Sequence, residues 1–163
     1  MKPAGSDGGG ERRLRTTVVA VPSDGDDACI AEARHVAAAF LGRARAEGGV
    51  AVSARAVDVT QLVVSELVTN ARRYAPGPLW MELRIADDVV EVTVQDGSRV
   101  QPVAHLTDPG RVGRHGLEIV VAVAQAFRVR LEPSGKRVTA TVALGHGSAD
   151  GTRRAGSPPP GPR

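Results

Sequence analysis

Residues 79–95 read Leu79-Trp80-Met81-Glu82-Leu83-Arg84-Ile85-Ala86-Asp87-Asp88-Val89-Val90-Glu91-Val92-Thr93-Val94-Gln95, and the period of this stretch decides the fold. Leu79, Met81, Leu83 and Ile85 alternate with Trp80, Glu82 and Arg84; beyond Asp87-Asp88, Val90, Val92 and Val94 alternate with Glu91, Thr93 and Gln95. A period of two places one set on a buried face and the other on an open face. The two aspartates make the turn of a hairpin. Working outward, Phe127, Val129 and Leu131, then Val138, Ala140, Val142 and Leu144, repeat the pattern around Pro133-Ser134-Gly135. Thr16 to Val21 is β-branched and apolar and suggests a further, first strand. One-sided strands belong to an antiparallel sheet with helices on one face, whereas a doubly wound parallel sheet shows continuous apolar runs.

The helices lie between these strands. Ser23 and Asp26 form a capping pair ahead of a helix over about 26–47, which Gly48-Gly49 ends. A second helix runs over about 54–75 and stops at Pro76-Gly77-Pro78. A third, over 116–125, carries Leu117, Val120, Val121 and Ala124 at helical spacing. Residues 97–112 are polar and rich in glycine and proline and read as a long loop. The expectation is a two-layer α/β sandwich: a mostly antiparallel, mixed sheet with its helices packed on one face.

Composition narrows the function. The chain has 163 residues, enough for one domain and little more. No apolar run approaches the roughly 20 residues of a membrane span. The Gly-rich, polar start lacks the apolar region of a signal peptide. The single cysteine, Cys29, excludes an internal disulfide, so a cytoplasmic location is expected. The net charge is +3 and the pI about 9.7, but the excess sits at the ends. Lys2, Arg12, Arg13 and Arg15 face Asp7 and Glu11 in the first 15 residues, and Arg153, Arg154 and Arg163 face Asp150 in the last 19. The middle of the chain therefore has 14 basic against 15 acidic side chains. With aromatics at 2%, this is not the footprint of a nucleic-acid binder, and no membrane partner is implied. Residues 1–12 and 145–163, poor in apolar side chains, are expected to be disordered tails around a domain at 13–144.

Three polar interruptions stand out. Glu66 and Asn70, at i and i+4 in the second helix, project from one face amid apolar neighbours, and Asn70 is the only asparagine. A carboxylate and an amide one turn apart can share a hydrated cation, and the carboxylate can deprotonate a hydroxyl; the pair also suits the exposed edge of an amphipathic helix. Asp96 falls on the same face as Val90, Val92 and Val94, so its carboxylate points toward the helices and needs a partner, such as a ligand amino group. Asp96-Gly97 is equally a turn dipeptide. Finally, Gly113-Arg114-His115-Gly116-Leu117 opens the third helix. Glycines there let a phosphate approach free backbone N–H groups, and Arg111 and Arg114 add charge.

In this order the three interruptions resemble the asparagine and glycine boxes of the GHKL, or Bergerat-fold, histidine kinase-like ATPases. Ser65-Glu66-Leu67-Val68-Thr69-Asn70-Ala71-Arg72 is similar to the anti-sigma-factor serine/threonine kinase branch, and the resemblance spans about 16–144. It implies that Asn70 holds Mg2+ bridging the phosphates of ATP and that Glu66 is the general base. Asp96 would accept a hydrogen bond from the adenine amino group, with Gly97 admitting the base. Residues 98–112 would be the ATP lid, and Gly113, Arg114, Gly116 and Leu117 would surround the phosphates. The partners implied are an anti-anti-sigma protein of STAS type, which is phosphorylated, and a sigma factor, which is sequestered; a homodimer is also implied.

The chain departs from the pattern in two places. Glycines expected at 98 and 100 are Ser98 and Val100, and the threonine that often follows the last hairpin's glycine is Lys136, after Gly135. Thr139 lies near but on the polar face by parity, while Tyr74 matches an aromatic position that follows the asparagine box. These departures leave a second function open, a non-catalytic anti-sigma or partner-switching module. His35 lacks the separate helical hairpin a phosphoacceptor histidine needs, His105 and His115 form no close pair on one element, and Cys29 reads as a small core residue. Arg72-Arg73 suits either a partner contact or a solvated helix end.

Overall fold

A computed structural model describes residues 15–22, 27–74, 77–97 and 116–145. Five strands and three helices follow the order β1 (Arg15–Val21), α1 (Ala28–Gly48), α2 (Ala54–Tyr74), β2 (Leu79–Ala86), β3 (Val89–Asp96), α3 (Gly116–Val123), β4 (Ala126–Glu132) and β5 (Gly135–Ala143). The sheet order is β1-β2-β3-β5-β4, and all four ladders are antiparallel. The mostly antiparallel sheet expected from the sequence is thus antiparallel throughout among the described strands.

The alternation in 79–95 sets which side faces the helices. Leu79, Met81, Leu83 and Ile85 are buried, as are Val90, Val92 and Val94 across the hairpin. Asp87 takes φ 54° to make the turn, a conformation aspartate tolerates better than most residues. The inner faces of β3 and β5 meet α2, whose Val63, Val64, Leu67 and Val68 are almost wholly buried. The alanines of α1, Ala33, Ala37 and Ala44, are equally buried, and their small size lets α1 pack closely against its neighbours.

The helix ends follow local chemistry. Gly49, at φ 64°, closes α1 in the left-handed conformation that glycine takes without strain. At the other end Asp27 occupies the cap position without a side-chain capping bond. Ser23 and Asp26 lie outside the described residues. Ser53 caps α2: its Oγ accepts the Ala56 N–H at 3.0 Å. Helix α3 is shorter than the sequence suggests, because the Gln125 N–H bonds to the Thr141 carbonyl at 2.8 Å and turns the chain into β4. The proposed tails, 1–12 and 145–163, lie outside the described residues except for Gly145.

Among the described residues, the far side of the sheet carries no helix. Trp80, half exposed, stands there beside Val18 over a groove of about 310 Å3 that Glu82, Thr93, Gln95 and Arg137 also line. This face is less wet than its polar pattern suggests. Thr93 and Thr139 are buried and share a 2.9 Å hydrogen bond across β3 and β5. Among the described residues, no helix is long and apolar enough to cross a membrane.

Candidate functional site

Helix α2 carries the first cluster. Glu66 and Asn70 lie one turn apart and are both half-buried, so they are neither solvated surface nor sealed core. Glu66 reaches the first residue of α3. A side chain at Gly116 would land on Glu66 Oε2, with Glu66 Cδ at 3.1 Å from the added carbon. A carboxylate at a helix N-terminus is favoured by the free N–H groups and the helix dipole. Gly116 therefore has a role the sequence did not disclose: it makes room for the Glu66 carboxylate. Leu117, the next residue, is buried, and with Val120 it anchors α3 to the core.

The second cluster sits where β3 ends and β5 begins. Asp96 points inward as strand parity requires and is 3% exposed. Its cross-strand partner in the β3–β5 ladder is Lys136, whose side chain is completely buried. Lys136 Nζ lies 3.5 Å from Asp96 Oδ2, with the two side chains 0% and 1% exposed. Gly135 makes this approach possible. It adopts φ 140°, and a Cβ there would fall on the Asp96 carbonyl oxygen, with the Asp96 carbonyl carbon and Gly97 Cα each at 2.9 Å. No side chain fits at that point.

The sequence placed Asp96 correctly and left its partner open. The partner was legible: residues 136, 138, 140 and 142 share one face of β5, so Lys136 must point inward with Val138, Ala140 and Val142. Gly97, at the end of β3, is exposed, while Thr139 is on the open face and unavailable to the inner layer. Gly113, Arg114 and the lid at 98–112 lie outside the described residues. His35 is exposed on α1 and Cys29 is buried in the core.

The residues fit a magnesium nucleotide at one end. Glu66 and Asn70 offer hard oxygen donors, partly open to a ligand, next to a helix N-terminus. At the other end a buried carboxylate fits an amino group, with the Lys136 ammonium beside it.

A histidine kinase domain from the blue-light activated histidine kinase of Erythrobacter litoralis EL346 shares 22% identity, with a TM-score of 0.43. The match covers 66% of this chain and 61% of that one, so this chain spans less than two thirds of it. No curated protein matches significantly. The family model for the histidine kinase-like ATPase domain matches residues 25–142, from just before α1 to the end of β5. On that match, which takes in α2, β3, α3 and both residue clusters, the chain belongs to the histidine kinase-like ATPase domain family.

Proposed function

We propose that this protein is an ATP-binding regulatory serine/threonine kinase of the anti-sigma-factor type, which phosphorylates an anti-anti-sigma protein of STAS type and sequesters a sigma factor. Membership in an ATPase domain family supports the nucleotide. The observation that carries the finer reading is the placement of Glu66: a half-buried carboxylate held at the α3 N-terminus, one turn from Asn70. Asn70 would hold Mg2+, and Asp96 with Gly97 would receive the adenine. Bound Mg-ATP supplies a γ-phosphoryl group. The chain's own contribution is positioning and charge, which phosphoryl transfer chiefly needs. A Glu66 carboxylate oxygen accepts the proton of a partner's serine or threonine hydroxyl. The N–H groups at the start of α3 offset negative charge beside it.

Calorimetry with Mg-ATP and phosphotransfer to purified STAS-type proteins of the same host test the reading together. Mg-ATP should bind the wild type, and Asn70→Ala should abolish binding with the fold intact. Glu66→Ala should bind ATP nearly as well and lose phosphotransfer by about 100-fold or more, the usual contribution of a general base. ATP binding without phosphotransfer to any candidate leaves a nucleotide-gated module in place of a kinase. No binding at all sinks the ATP reading and leaves a partner-switching module.

A further inference from the structure

The buried Lys136 ammonium offsets the charge of the equally buried Asp96 carboxylate, but that contact leaves its donors unmet. Lys136 ends a strand face otherwise lined by Val138, Ala140 and Val142. Burying an ammonium is costly unless its donors are met. Here the contact to Asp96 Oδ2 is 3.5 Å, longer than a charge-assisted hydrogen bond, and Nζ has no hydrogen-bond partner among the described residues. A buried donor of this kind calls for an acceptor that a ligand can bring.

We infer that Lys136 is a specificity-determining residue, reading a nucleobase edge together with Asp96. This rests on the proposed nucleotide site. The pair presents a carboxylate acceptor and a cationic donor side by side, fixed in register by the β3–β5 ladder and by the missing side chain at Gly135. The matching ligand edge has an exocyclic amino donor next to a ring-nitrogen acceptor. Adenine has this edge twice, its amino group lying between N1 and N7. Asp96 takes the amino proton, and Lys136 donates to one of the flanking ring nitrogens.

The test pairs ligand atoms with the residue. Calorimetry compares Mg-ATP, 1-deaza-ATP and 7-deaza-ATP on the wild type and on Lys136→Met. In the wild type, one of the two deaza analogues should bind at least about tenfold more weakly than ATP. In Lys136→Met, ATP should weaken by a similar factor, and the deaza analogue should then bind as well as ATP. A purely structural lysine would weaken ATP and its analogue alike and keep the gap between them, which overturns the inference. So does tighter ATP binding in the variant, which would make Lys136 only an occupant of Asp96. If Lys136→Met does not fold, the wild-type panel decides: equal binding of ATP and both deaza analogues overturns the inference. ATP binding lost in every folded protein overturns the nucleotide reading itself, and the inference with it.

Discussion

Two glycines carry opposite kinds of constraint. At Gly116 the obstacle to a side chain is the end of a flexible glutamate. Gly116→Ala should therefore fold with a stability change of about 1 kcal/mol or less, while displacing the Glu66 carboxylate. Phosphotransfer should fall well below wild type as ATP binding changes less; equal losses in both would show that Gly116 serves only the phosphates. At Gly135 the obstacle is backbone, the Asp96 carbonyl, and φ is 140°. Gly135→Ala should cost roughly 3 kcal/mol, from strain and the forced opening of β3 against β5. Urea unfolding gives the number, and a loss below 1 kcal/mol would mean that the two strands part easily. Both glycines were visible in the sequence as turn or helix-start residues. What they touch was not, because Glu66 is 50 residues from Gly116 and Asp96 is 39 from Gly135. Spacing along the chain does not carry such contacts.

At the scale of elements, the sequence was most legible where period and punctuation agreed. The strand pairs at 79–95 and 127–144 were read from alternation, and α2 from its run up to Pro76. The end of α3 was not, since its last turn competes with a β4 contact: a single backbone bond from Gln125 to Thr141 decides it. Propensity at 124 and 125 is silent on that choice. The cap of α2 is open to a direct test. Ser53→Ala removes the oxygen that accepts the Ala56 N–H and should cost about 1 kcal/mol in urea unfolding. The Ser53 carbonyl still accepts from Val57 at 3.2 Å, so the helix should shorten little. An unchanged midpoint would show that water replaces the hydroxyl.

For the whole molecule, the strand order β1-β2-β3-β5-β4 was beyond sequence pattern, because alternation tells which face is buried and not which strand is the neighbour. That order matters to function. It sets β3 beside β5 at the centre of the sheet and so brings Asp96 to Lys136. The core runs from Val21 to Leu144. A chain trimmed to residues 15–145 should consequently keep a single cooperative thermal transition within a few degrees of the full-length protein. It should also lose most nonspecific attraction to DNA, since the excess positive charge lies at the ends. A broad or strongly lowered transition would place part of the stabilising surface in the removed segments.

Trp80 is the only tryptophan, and it stands on the sheet face turned away from the described helices, with the whole thickness of the sheet between it and the inward-pointing Asp96. The molecule therefore carries its own optical probe on the side where no nucleotide is expected. Its emission should be that of a half-wetted indole and should stay open to quenching by acrylamide at saturating ATP. Should a protein partner make it blue-shift and resist the quencher, light alone would reveal which side of the sheet had been covered.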